Sequence, residues 1–572
     1  MNSQELTLKL SGFWKTLYPD YPGEILTDFI DELEMVSQKN VLKPNEKQWF
    51  KKCVVYCLYV DLFNETFEGL ISKLDYLQDL GAGCLWLLPI LSSPMKDQGF
   101  DISDYKKIRD DLFRKGLNTR EQEEVFQKFI NAAHGKNIKV IFDIALNHSS
   151  DQHEWFRGIN TPDSKYKDYY IWAQDTEKYK NVPVLFAPLE KSNWQPKKIN
   201  GEEWYYFHRF FNHQPDLNYK NPRLLLEMCR SLVFWLQKGI DGFRADAIPF
   251  IWKEDDTDCM NLSQAHVVIK FFRTILDYLR PETLLLAEAC LPTEKIVEYF
   301  GENGSECNAA YHFPLILAIY RSLAAQNSKP VISSLSPKDI ANDFDYQWFL
   351  FLRGHDELNL EMVGEKDRAF LYENFCHDKF WGFRNGNGVA ARLRDLLEDK
   401  TGKIALANSI LLTLPCTPVI YYGDELGKKN DMDFYEAMKN KTGQEDKRYL
   451  VRGKIDWKTA EDNEILNITK QLLNVRNTFE CFGKGSLEWK KFLNTDGLPE
   501  NRVLSYYRIY QKNKILVINN LSESLIKIAC DNITAEKDLF DKGLNYEYLN
   551  SQRFLVLEPY EFHWIKINGK QR

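Results

Sequence analysis

The chain has 572 residues, of which 44% are hydrophobic, 27% charged and 14% aromatic, which excludes disordered, collagen-like and coiled-coil chains. Lys plus Arg total 74 and Asp plus Glu 82, and the resulting net charge of −8, with signs interspersed, argues against a nucleic-acid partner. Eleven dispersed cysteines without a Cys-x-x-Cys pair read as reduced core thiols, and the length predicts several domains.

The opening stretch has no basic segment followed by an apolar one, so no secretory signal is expected and a cytoplasmic location is predicted. Ile25, Phe29, Ile30, Leu33 and Val36 fall at helical spacing and predict a helical extension over 1–49. From Cys53 the pattern changes to short apolar runs separated by amphipathic segments, the signature of βα units. Eight strands are predicted: 54–60, 83–88, 139–144, 242–246, 283–288, 310–315, 348–353 and 419–422. Helical periodicity marks 67–80, 121–136, 223–238 and 264–280 between them. The longest apolar run, 404–422, is split by Pro415 and Pro418 and reads as a buried helix followed by a buried strand, so no membrane association is expected. Residues 149–214 are too long and irregular for a connecting loop and predict an inserted subdomain. Its aromatics Trp155, Phe156, Tyr169, Tyr170 and Trp172 would serve as that subdomain's core or as walls of a cleft. Beyond about 459, a helix leads into alternating strands at 503–510, 514–518, 525–529, 553–557 and 563–567. The predicted fold is α/β: a (β/α)8 barrel over 50–458 with an inserted subdomain after strand three, then a C-terminal antiparallel β-sandwich over 459–572.

Ionisable residues gather at four predicted strand ends. Strand three runs out in Asp143-Ile-Ala-Leu-Asn147-His148, and strand four carries Asp241-Gly-Phe-Arg244-Ala-Asp246. Strand five ends in Leu284-Leu-Leu-Ala-Glu288, and strand seven in Arg353-Gly-His355-Asp356-Glu357. Each alone reads equally well as a helix cap or a solvated loop. Together they place three carboxylates at one barrel mouth, which suits glycosidic chemistry, where one attacks the anomeric carbon and another protonates the leaving oxygen. The histidines lack metal-ligand spacing, and Arg384-Asn-Gly-Asn-Gly388 lacks the Lys-Ser/Thr of a phosphate cradle.

These four stretches, in order and spacing, resemble the α-amylase superfamily, glycoside hydrolase family 13. The stretches 147–156, 207–219 and 355–363 are most similar to its trehalose-synthase branch, and Tyr421-Tyr-Gly-Asp-Glu425 to the family at large. The resemblance implies that Asp246 is the nucleophile, Glu288 the general acid/base and Asp356 the third carboxylate. It implies that Asp97, Phe100, His148, Gln214, Arg244, His355 and Arg392 bind substrate. The implied activity is retaining α-glucosyl chemistry through a covalent glucosyl–Asp intermediate, interconverting maltose and trehalose with side hydrolysis. The alternatives are an α-glucosidase or α-amylase acting on maltooligosaccharides or sucrose, and an inactive barrel serving as a glucan-binding or scaffold protein. The implied partner is a small α-glucoside, and a homo-oligomer is compatible with the sequence.

Several positions depart from the family pattern. Phe100 stands for Tyr, Gly354 for Asn, and Tyr449–Trp457 replaces the relatives' Arg-Thr-Pro-Met-Gln-Trp element. Asn147 and Asp216 match two ligands of the family's structural calcium, but Lys253 stands at a third and the loop 63–67 is too short for a second acidic site. No cofactor is therefore expected to be required: the Lys253 ammonium would neutralise Asp216 itself, unless Glu254 shifts by one to restore the site.

Overall fold

Eight short parallel strands close into a barrel in sequence order in this computed structural model. It describes residues 1–39, 42–161, 164–186, 189–458, 460, 463–530, 533 and 535–567. The strands are β1 (Val55–Leu58), β2 (Cys84–Leu87), β3 (Lys139–Ala145), β4 (Gly242–Asp246), β5 (Leu284–Ala287), β6 (Ala309–Tyr311), β7 (Gln347–Phe351) and β8 (Thr417–Tyr421). Val55 pairs with Cys84 on one side and with Val419 on the other, which closes the ring. Every predicted barrel strand is present, most of them shortened at one or both ends. The sixth stops early because Pro314 and the His312 ring, which accepts the Leu315 N–H, start a helix at Phe313. The predicted helix 67–80 is two helices, Phe67–Ser72 and Leu74–Leu80. Phe67, Leu70, Leu74 and Leu77 keep one apolar phase across the break, so periodicity could not reveal it.

Two helices, α1 (Ser3–Leu17) and α2 (Glu24–Lys39), form the start of the chain. Leu6, Leu10, Trp14, Phe29 and Leu33 are buried where these helices pack on the helix Ser263–Leu279. A bidentate Arg230–Glu32 pair, 2.8 and 2.9 Å, ties α2 to the helix Pro222–Gln237.

The insert after β3 folds around a three-stranded antiparallel sheet of Trp172–Ala173, Glu202–Phe207 and Trp194–Ile199. Trp155, Phe156, Tyr169 and Tyr170 are buried in its packing, and neither they nor Trp172 lines the cleft described below. A second elaboration, unexpected from the sequence, follows β7: the helix Glu365–Phe375 and three two-residue strands between 358 and 389. The C-terminal region is two antiparallel sheets packed face to face over Leu516, Ile518, Ile528, Leu555 and Ile565. The sequence missed one strand in each, Ser486–Trp489 and Tyr546–Leu549. No helix among the described residues is long and apolar enough to cross a membrane.

Candidate active site

Successive side chains of a strand point to opposite faces, so Arg244 and Asp246 share one face of β4. Strand β5 lies unusually close. A Cβ at Gly242 would stand 2.5 Å from Leu284, so only glycine allows the pairing that sets Ala245 beside Ala287, with Asp246 and Glu288 the next residues along their chains. The Arg244 guanidinium is nearly inaccessible and serves three carboxylates at once: Asp143 at 2.8 Å, Glu288 at 2.5 Å and Asp246. One positive charge cannot compensate three acids, two of them buried and the third half-buried. Burial pushes the Glu288 carboxyl up to about 8 against the pull of Arg244, and the neighbouring Asp246 adds to the rise. Burial also raises Asp246, opposed by Arg244, while a hydrogen bond shared with Glu288 favours its ionised form. Asp143, against Arg244 and the Trp86 indole at 2.8 Å, is pushed by burial to about 7. The hydrogen bond shared by Asp246 and Glu288 favours the ionised form of the first and the protonated form of the second.

Beyond the end of β7 the balance is the reverse. Asp356 accepts from Arg452 at 2.9 Å and Arg448 at 3.3 Å and lies 3.0 Å from the His355 imidazole. Burial opposes its ionisation, but His355, Arg448 and Arg452 outweigh it and hold the carboxyl well below its usual range. His355 stacks on Phe100 with ring centroids 5.5 Å apart. Asp97 is 3.4 Å from Arg448 and accepts from the Gln214 amide at 3.0 Å. Its loop is pinned by Asp101, which accepts the backbone N–H groups of Lys96 and Asp97 at 3.0 and 3.2 Å. Gly99 turns that loop at φ +98°, where a Cβ would meet Pro89 at 2.7 Å.

Asp97, Phe100, His148, Arg244, Asp246, Glu288, His355 and Asp356 all line one cavity of about 330 Å³ at the mouth of the barrel. Gln214 does not line it. It is fully buried behind the wall, bonded to Asp97 and 3.3 Å from His148 Nε2, so it orients two residues that do. Arg392 is not brought to the cleft either. Its guanidinium lies over the Tyr421 and Tyr422 rings at 4.4 and 4.9 Å and donates to Asp424 at 3.2 Å and to the Tyr422 carbonyl. These partners hold it inside the barrel wall, and its expected contact with substrate is corrected accordingly.

The catalytic-domain model of the α-amylase family matches residues 64–479. The chain belongs to the α-amylase family. It is 34% identical over 521 residues to a trehalose synthase of Pimelobacter sp., covering 83% of this chain and 88% of that one. It is 30% identical over 545 residues to α-amylase 3 of Dictyoglomus thermophilum, covering 91% and 94%. Among solved structures, an α-amylase from H. orenii superposes with a TM-score of 0.69 at 24% identity, over 90% of this chain and 99% of that one.

Against this family background, the calcium-type position is occupied by a side chain. Lys253, 3% exposed, donates to Asn147 Oδ1 at 2.6 Å and forms an ion pair with Asp216 Oδ2 at 2.7 Å. Glu254 turns outward to Lys220 at 3.0 Å, so it does not shift into the site. The ammonium already stands between these oxygens and neutralises Asp216, and these residues do not fit a divalent ion. Two arginines that bear on the site escaped the sequence reading. Arg452 comes from the stretch 449–457 that replaces the family's usual element after β8 and Arg448 immediately precedes it, and only their bonds to Asp97 and Asp356 reveal them. Asp143 was visible as a strand-end acid, but its pairing with Arg244 was not.

Proposed function

We propose that this protein is a retaining α-glucoside enzyme that interconverts maltose and trehalose through a covalent glucosyl–Asp246 intermediate, with accompanying hydrolysis. The observation that carries this reading is the shared guanidinium of Arg244. It holds Asp246 and Glu288 side by side, and the hydrogen bond the two carboxyls share supports a pair closer than the ~6.5–9.5 Å at which an inverting pair admits a water. In the first half of the cycle, Asp246 attacks the anomeric carbon while Glu288 gives its proton to the leaving oxygen. In the second, Glu288 takes the proton of the acceptor hydroxyl as the C1–O bond to Asp246 breaks. Asp356, held ionised by Arg448 and Arg452, accepts hydrogen bonds from the sugar hydroxyls, and His148, His355 and Asp97 complete the grip. All these groups are present, which argues against an inactive scaffold. The similarity to trehalose synthase over most of the chain supports the substrate assignment. Side hydrolysis is favoured by two losses. Position 354 has no side chain, Phe100 has no hydroxyl, and each missing hydrogen bond weakens the grip by ~1–3 kcal/mol. The test is an NMR time course on maltose and on an aryl α-glucoside. Trehalose is expected from maltose, and from the aryl α-glucoside, whose leaving group has no anomeric centre, α-glucose is expected first; β-glucose first from that donor would refute retention, and maltose giving glucose without any disaccharide would leave an α-glucosidase.

A further inference from the structure

A second, much smaller cavity lies behind the floor of the cleft, with about 10 Å³ of room, enough for one water-sized occupant. It is walled by the end of β7, by β8 and by the helices Thr401–Thr413 and Glu464–Thr478. Arg353 and Val419 line both cavities, so the small one adjoins the active site. Asn408, Asp424, Glu425 and Thr469 bring oxygen-bearing side chains to it, while Tyr421 gives its hydroxyl to the Val451 carbonyl at 3.1 Å.

Two of these four side chains have a polar atom with no partner among the described residues. Glu425 is 1% exposed. Its Oε1 accepts the Tyr56 and Tyr76 hydroxyls at 2.6 and 3.0 Å, and its Oε2 accepts nothing. Thr469, also 1% exposed, has an unpartnered hydroxyl. A helical threonine ordinarily turns its hydroxyl onto the carbonyl four residues earlier, as Thr478 of the same helix does at 3.0 Å. Buried polar atoms are paired as a rule, so two orphans on one water-sized cavity point to an occupant within it.

The charges around the cavity say what that occupant is. Asp424 accepts from Arg392 at 3.2 Å, and Arg353 adds to the attraction. Glu425 joins no ion pair among the described residues, and burial pushes its carboxyl up to about 7 against the pull of the two tyrosine hydroxyls. Its ionised form calls for one positive charge. A divalent ion would bring more charge than that, next to two guanidinium groups. A donor set of carboxylate, amide and hydroxyl oxygens suits a hard cation, and the size of the space suits a small one. We infer that this cavity binds a sodium ion, held by Glu425, Asp424, Thr469 and Asn408, which props the barrel wall behind the active site.

The test follows thermal unfolding of the full chain in sodium, caesium and tetramethylammonium chloride at constant ionic strength, in buffer free of other alkali ions. No substrate assignment enters this readout. The melting temperature should rise by about 1 °C for each tenfold increase in sodium once the site is filling, and should not respond to the two larger cations. Thr469→Val keeps the shape of the side chain and removes its oxygen, and Asn408→Leu removes the amide. Each should move the sodium response to concentrations at least about tenfold higher. Equal melting temperatures in the three salts would overturn the inference and leave a water in the cavity. A sodium response that stays unchanged in Thr469→Val and Asn408→Leu would overturn it too, by placing the ion elsewhere. Should Asn408→Leu fail to fold, the wild type and Thr469→Val decide the matter.

Discussion

Strand β4 is preceded by Asp241 and ends at Asp246, and both carboxylates are buried at opposite ends of the barrel. Asp241 meets Arg280 at 2.8 Å, Lys139 at 3.1 Å, His134 at 2.7 Å and the Val140 N–H at 2.9 Å. Burial pushes its carboxyl up, but this surplus of cationic and N–H partners outweighs it and holds the carboxyl below its usual range. Asp246 has one guanidinium, shared with two other acids, and its carboxyl is raised. The contrast separates a carboxylate whose charge is fully matched by its partners from one whose charge is not. The first is saturated with partners. The second is left with charge that only a substrate or a proton can satisfy.

The largest expected effect falls on the reactive end. Asp246→Asn should lower turnover by at least about 10⁴-fold while circular dichroism and melting temperature stay near wild type, because it relieves crowding of negative charge. A variant that melts far below wild type would show that Asp246 is a structural ion pair like Asp241. The opposite pattern is expected at the other end. Asp241→Asn should cost about 3–5 kcal/mol in denaturant unfolding, because the buried Arg280 and the half-buried Lys139 are left without their anion, while kcat per folded molecule changes little. In the wild type, the Asp241 contribution is present at neutral pH and is lost as pH falls through the acid range, since its folded-state carboxyl is lowered.

The pH–rate profile sharpens the same contrast. With Glu288 raised to about 8, the protonated general acid is available below that pH and is lost above it. kcat/KM should then fall about tenfold per unit on the alkaline side. Glu288→Gln should remove that limb altogether, and a profile that stays flat to pH 10 would show that another group supplies the proton. The smallest expected effect concerns the third buried charge pair, Lys253 with Asp216. Chelation of divalent ions should leave both activity and melting temperature unchanged, because the ammonium already occupies the position between Asn147 and Asp216. A fall in both on chelation would show that an ion displaces Lys253.

The barrel and the acids at its mouth were legible in the chain, because burial forces short apolar runs with 3.6-residue helices between them and leaves strand-end carboxylates conspicuous. Asp97, His148, Asp246, Glu288, His355 and Asp356 could be picked out this way or by family resemblance, and they do share one cavity. Lys253 could be anticipated as well, since a lysine in place of a ligand changes the sign of a charge whatever the backbone does. Pairing across long sequence separations was not legible. Arg448 reaches Asp97 over 351 residues, and the choice between cleft and wall for Gln214 and Arg392 depends on a few ångströms of backbone placement. Local pattern records which residues must be buried and how often they recur. It carries no distance between remote segments, so how one guanidinium is divided among Asp143, Asp246 and Glu288 was decided only when the closed barrel brought β3, β4 and β5 side by side.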